Sequence, residues 1–128
     1  MTLAETSILI VDDEPVLRLT FSVLLEKAGA TVHTAGDGLE AIEVLAKEHI
    51  DIMLTDKQMP RMDGLTLLRT LYKSGTTVPS VFFVNGIDAE SQAEMQQLGV
   101  LETVTKPLHP RDLISLFERL VTMLAPGA

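Results

Sequence analysis

The chain has no cysteine. That absence excludes a disulfide framework, thiolate catalysis and Cys-ligated zinc or iron–sulfur sites, and it accords with a reducing compartment. Lysine and arginine are also scarce, 10 against 18 aspartates and glutamates, for a formal net charge of −8. A nucleic-acid groove needs clustered basic residues to meet phosphates, so direct nucleic-acid binding is not expected and any such role would belong to a partner. No run approaches the roughly 18 apolar residues that span a bilayer, so no membrane association is expected. The N-terminus lacks the basic, apolar and small-residue succession of a signal peptide, and a cytoplasmic location is expected. Long polar tracts are missing too. With 128 residues, 46% of them hydrophobic, the chain is expected to form one domain over residues 1–128, large enough for a single core and too small for two.

What is present is an alternation. Ser7 to Val11 is an unbroken β-rich apolar run, the pattern of a strand buried on both faces. Pro15 suits the first turn of a helix whose inner face is Leu17, Phe21, Leu24, Leu25 and Ala28, and Gly29 offers its stop. Thr31 to Ala35 reads as a second strand, and the turn Gly36-Asp37-Gly38 leads to a helix striped by Ala41, Ile42, Leu45 and Ala46. A third strand, Asp51 to Thr55, leaves Asp56 at its carboxyl end before a loop punctuated by Pro60 and Gly64.

A helix from Leu65 to Lys73 follows, with Leu65, Leu68 and Leu71 inward. Then come a fourth strand from Ser80 to Asn85, and a helix from Asp88 to Leu98 whose thin stripe of Ala89, Ala93 and Leu98 predicts the least firmly packed element. The fifth strand is Glu102 to Thr105, and the last helix runs from Pro110 to Leu124. Its residues Leu113, Ile114, Leu116, Phe117, Leu120, Val121, Met123 and Leu124 occupy about half the wheel, wider than the stripe a surface helix buries, which makes Leu113 to Leu124 a candidate homodimer face. Five such repeats imply an α/β fold: a five-stranded parallel sheet with helices on both faces and right-handed crossovers.

In open α/β sheets the chemistry gathers at the carboxyl ends of the strands. Asp12, Asp13 and Asp56 end the first and third strands, and Lys106 ends the fifth. Carboxylates at about 4 Å repel by roughly 1 to 4 kcal/mol per pair in high to intermediate effective dielectric. A hard dication resolves that conflict, and oxygen-only ligands favour Mg²⁺ over zinc. A metal-bound phosphoryl group beside a nucleophilic carboxylate, with a lysine opposite, suits phosphoryl transfer to an aspartate.

Val11-Asp-Asp-Glu14, Asp56 followed by Met59-Pro60 and Asp63-Gly64, then Gly99 and Lys106-Pro107, resemble the receiver domain of two-component response regulators over essentially the whole chain. The resemblance implies the flavodoxin-like strand order 2-1-3-4-5. It makes Asp56 the phosphoacceptor, Asp13 a direct Mg²⁺ ligand, Asp12 a ligand through water, and the Gln58 backbone carbonyl a further ligand. Lys106 would contact the phosphoryl group from a loop held by Pro107. The donor would be a phosphohistidine on a histidine kinase or histidine phosphotransfer protein, and the chain would catalyse only its own phosphorylation and dephosphorylation.

Two positions depart from the family pattern. Where receivers carry Thr or Ser at the end of the fourth strand, this chain has Val84, with Asn85 next; where they carry Tyr or Phe three residues before the lysine, it has Thr103. A valine side chain donates no hydrogen bond, whereas the Asn85 amide is a donor. The altered switch residues admit an alternative, a phosphorylation-independent interaction module. A metal-dependent phosphatase or nuclease is opposed by the lack of an Asp-x-Asp motif. Asp37, Asp51 and Asp88 read as ordinary solvated acids and Lys57 as a solvated charge. His33, His49 and His109 suit surface or capping roles, and Met53, Met59 and Met62 packing roles.

Overall fold

Ser7–Val11, designated β1, is flanked by strands on both sides and its last four residues are buried. The computed structural model describes residues 2–84, 89–105 and 108–124. After a short 3-10 turn at Leu3–Glu5, β1 is followed by α1 (Pro15–Lys27), β2 (Thr31–Ala35), α2 (Gly38–Lys47), β3 (Ile52–Asp56) and α3 (Gly64–Lys73). Then come β4 (Ser80–Phe83), α4 (Ala89–Gln97), β5 (Val100–Val104) and α5 (Pro110–Met123). The strands are parallel in the order β2-β1-β3-β4-β5, the flavodoxin-like arrangement expected.

Side chains alternate across the sheet, so two cores form. Ile8, Ile10, Ile52, Leu54, Val81 and Phe83 face α1 and α5, where Phe21 stacks on Phe83 at 5.8 Å between ring centroids. Leu9, Val11, Met53, Phe82 and Val84 face α2, α3 and α4. This two-sided burial is why the strands read as continuous apolar runs.

The helix ends follow local chemistry. Pro15 and Pro110 stand in first turns, where no backbone donor is needed, and Gly29, at φ 105°, takes the left-handed position just past α1. Asp37 and Asp63 cap α2 and α3 by accepting the N–H groups of Glu40 and Thr66 at 3.0 and 2.8 Å. Gly64 opens α3 in direct contact with the strand before it: a Cβ there would stand 2.5 Å from the Asp56 carbonyl oxygen.

Several boundaries and faces shift from the sequence-based expectation. β3 begins at Ile52 and includes Asp56; β4 ends at Phe83; β5 begins at Val100, immediately after Gly99 turns the chain at φ 100°. On α2, Ala46 is exposed and Val44 packs inward instead, while α3 also buries Leu67. Ala93 of α4 is exposed; Met95, 1% exposed, is the residue that anchors the helix with Leu98. The Ala89 side chain lies outside the described residues.

Along α5, Leu113, Leu116, Phe117, Leu120 and Val121 are buried in the chain's own core, so most of the apolar width is used internally. Ile114 and Leu124 are partly buried and Met123 is 61% exposed. α4, with few buried residues, is also joined to α3 by an ion pair: Arg69 donates Nε and Nη2 to the two Glu94 carboxylate oxygens, both at 2.7 Å.

Two predictions follow from this packing. Gly64→Ala should lower unfolding stability by about 1–3 kcal/mol, because the added methyl meets backbone and not a yielding side chain; an unchanged denaturant midpoint would contradict the contact. The Arg69 hydrogen bond holds the Glu94 carboxyl below its ordinary value of 4.5, against burial that would raise it. A depressed carboxyl stabilises the fold above its unfolded pKa and loses that contribution as pH falls through the folded one. Glu94→Gln should therefore speed amide exchange across α4 near neutral pH, with the difference from the parent closing as pH drops below 4.5.

Candidate functional site

The pairing of β1 with β3 sets Val11 beside Thr55, so Asp12 and Asp56 reach the same edge of the sheet. There Asp12, Asp13 and Asp56 each place a carboxylate oxygen within 4.8 Å of the other two. Their exposure is graded: Asp12 is 2% exposed, Asp56 partly buried and Asp13 exposed.

Asp12 is held from several sides. Its N–H donates to the Ala35 carbonyl at 3.1 Å, its Oδ1 accepts the Glu14 N–H at 2.9 Å, and its carbonyl accepts from Arg18 Nη1 at 2.5 Å. Across the cleft, the Gln58 N–H points back to Asp56 Oδ1 at 3.3 Å. The loop that carries Gln58 is closed at its base, where Lys57 N–H donates to the Phe83 carbonyl at 3.2 Å and Gly64 N–H to the Lys57 carbonyl at 3.0 Å.

These donors are all hard oxygens, and three clustered carboxylates repel unless a cation joins them. Asp12, Asp13 and Asp56 could together hold a metal ion. Lys106, Pro107 and Asn85 lie outside the described residues. Val84 follows the last residue of β4, donates its N–H to the Val104 carbonyl at 2.9 Å, and buries its side chain in the core under α2, α3 and α4. Thr103 is partly buried, in register with Phe82.

Two acids expected to be solvated are not. Asp37 is 4% exposed; besides capping α2, it accepts Arg61 Nε at 2.5 Å and pairs with an Arg61 Nη. The Glu40 backbone N–H holds the Asp37 carboxyl below its ordinary value, opposed by burial and reinforced by Arg61. Asp51 is partly buried, accepts the Ser7 N–H at 2.8 Å and meets His49 at 2.8 Å. Asp88 lies outside the described residues. His109 caps α5 by accepting the Arg111 N–H at 3.1 Å, and Met53, Met59 and Met62 pack against the core as expected.

Sequence reasoning missed Arg18, Asp37 and Arg61. The turn Gly36-Asp37-Gly38 signals a cap, but no local pattern pairs Asp37 with a residue 24 positions away.

A family model for the response regulator receiver domain matches residues 8–118. The chain is 37% identical over 101 residues to the sensor histidine kinase RcsC of Escherichia coli (strain K12), covering 79% of this chain and 11% of that protein. It is 30% identical over 113 residues to the DNA-binding transcriptional regulator NtrC of Escherichia coli (strain K12), covering 88% of this chain and 24% of that protein. It thus spans a small part of the length of either relative. The receiver domain of the Francisella response regulator 1452 superposes with a TM-score of 0.82 at 25% identity, covering 94% of this chain and 99% of that one. By sequence, strand order and the converging acids, the chain belongs to the response regulator receiver domain family of two-component systems.

Proposed function

We propose that Asp56 accepts a phosphoryl group from a phosphohistidine of a histidine kinase or histidine phosphotransfer protein, and that the modified chain switches its partner interactions. The supporting observation is the meeting of the Asp12, Asp13 and Asp56 carboxylates within 4.8 Å at the ends of adjacent strands. The similarity to a sensor histidine kinase supports the choice of donor. Among the described residues no helix is long and apolar enough to cross a membrane.

An Asp56 carboxylate oxygen attacks phosphorus, forming a C–O–P link, while the P–N bond to the donor imidazole breaks. The bonding pair stays on the nitrogen, which is protonated as it leaves. Mg²⁺, when bound, supplies charge neutralisation for the phosphoryl oxygens. Asp12 and Asp13, with the Gln58 carbonyl, would hold it; Lys106 would add positive charge on the far side of the transferring group. Water later cleaves the acyl phosphate and restores Asp56. The chain acts only on itself in both steps, so it is a switch and not an enzyme with an outside substrate. Phosphorylation adds about −1.5 to −2 charges at one carboxylate, which is the perturbation that shifts the conformational equilibrium.

A second function, a phosphorylation-independent interaction module, is favoured by one observation. At the end of β4, Val84 brings no hydroxyl and its side chain is buried in the core, and β5 carries Thr103 in place of an aromatic.

Incubated with Mg²⁺ and phosphoramidate, the parent chain should gain one phosphoryl group by intact mass, and Asp56→Asn none. No gain in the parent, with no Mg²⁺ binding, would leave the module as the function. In the metal-free protein, Asp13→Ala should raise the melting temperature, on the order of 1 kcal/mol or less of relieved repulsion, while abolishing tight Mg²⁺ binding. A lower apo melting temperature would count against carboxylate repulsion at the site.

A further inference from the structure

The loop that follows Asp56 is anchored from a second direction, and this bears on the proposed phosphoacceptor function, on which the inference rests. Arg61 stands five residues after Asp56, at φ 62°, a left-handed conformation that L residues rarely adopt. Its guanidinium reaches the β2–α2 connection, where Nε donates to Asp37 Oδ2 at 2.5 Å and Nη2 lies 3.6 Å from Glu40 Oε2. The Asp37 side chain is 6% exposed, so the ion pair has its acidic partner inside the protein. Backbone follows the same path: Gly38 N–H donates to the Met62 carbonyl at 3.2 Å. The Met62 side chain closes over Gly38 so tightly that a Cβ there would lie 2.7 Å from Met62 Cγ.

The β2–α2 connection is itself fixed to the acid cluster, through the Ala35 carbonyl that accepts the Asp12 N–H at 3.1 Å. A continuous route therefore runs from Asp12 through Ala35 and Asp37 to Arg61 and back along the loop to Gln58. The loop's base is held by β4 and the start of α3; its crest is held by Asp37 and Gly38.

We propose that Asp37 and Arg61 are positioning residues for phosphoryl acceptance: their ion pair fixes the crest of the acceptor loop, and so aims the Gln58 carbonyl at the carboxylate cluster. Neither side chain need touch the reacting atoms. Outer partners that orient a ligand typically change metal affinity by about 10–100-fold when removed. A pair that only staples α2 to α3 would change stability and leave Mg²⁺ affinity alone.

The two charges make the test decisive, because through-space electrostatics and positioning predict different signs. Removing a nearby cation tightens binding of Mg²⁺ and removing a nearby anion weakens it, whereas loss of positioning weakens it either way. Calorimetric titration of the full chain with Mg²⁺, well below the melting temperature, should show Arg61→Gln and Asp37→Asn each weakening binding about tenfold or more. Arg61→Gly, which suits the left-handed backbone, should weaken it as well, and Arg61→Lys should recover part of the loss.

In metal-free protein, Arg61→Gln should speed amide exchange in the loop 57–63 while β1 and β3 keep their protection. Phosphoramidate uptake should slow in step with Mg²⁺ affinity. Parental Mg²⁺ affinity in both variants, or tighter binding by Arg61→Gln alone, overturns the assignment, as does unchanged loop exchange. A parent chain that binds no Mg²⁺ overturns the phosphoacceptor function and this assignment together.

Discussion

Three carboxylates share one end of the sheet, and much of the surrounding structure serves to keep them there. With their oxygens within 4.8 Å and Asp13 exposed, each pair repels by an amount on the order of 1 kcal/mol or less, still a noticeable fraction of the roughly 5–15 kcal/mol that holds a domain folded. The parallel order forces the encounter, since β1 and β3 are neighbours and both end in aspartate. Backbone donors meet two of the carboxylates, Glu14 N–H on Asp12 and Gln58 N–H on Asp56, and the Arg18 side chain donates to the Asp12 carbonyl. The three acids form a group that could hold a metal ion, on a chain of net charge −8.

Support is uneven around this centre. β1, β3 and β4 are buried on both faces, α5 lays five large residues into one core and α3 four leucines into the other. By contrast α4 contributes Met95 and adjoins Leu98, and an exposed arginine–carboxylate pair ties it to α3. Exposed pairs contribute little stability, so α4 is the element that shifts at least cost. Burial is thus concentrated on the central strands, α3 and α5, and the α4 side is the more lightly held.

Much of this was legible in sequence because burial imposes period. Strands enclosed on both faces read as apolar runs, prolines marked the starts of α1 and α5, and acids after β1 and β3 stood out once the strands were placed. Faces failed where period was weak: α4 has so little apolar content that the pattern puts Ala93 on the inner stripe and omits Met95, whereas Ala93 is exposed and Met95 is buried. The β5 boundary moved because Gly99 turns the chain and Val100 enters the sheet at once, beside Ser80. Asp37 was misread for a different reason. A capping turn is local and visible, but the guanidinium that makes its carboxylate a buried partner comes from another loop.

The two positions that depart from the family pattern sit beside a backbone ladder that is intact. Val84 and Thr103 lie one strand apart, and the Val84 N–H is bonded to the Val104 carbonyl, so β4 and β5 are coupled through the ladder whatever side chains they carry. What the hydroxyl-free valine removes is a side-chain donor that could respond to a new phosphoryl oxygen; it leaves the backbone coupling intact. Among the described residues, the link that remains between the Asp56 loop and β4 is made by backbone. The nearest such connection is the Lys57 N–H on the Phe83 carbonyl, which joins the acceptor loop directly to the end of β4. A ligand shifts an equilibrium only by its differential interaction with the two states. The loop after Asp56 is bonded at its base to Phe83 of β4 and at its crest to Asp37 and Gly38, so a change in its geometry would be felt on both sides of the sheet end.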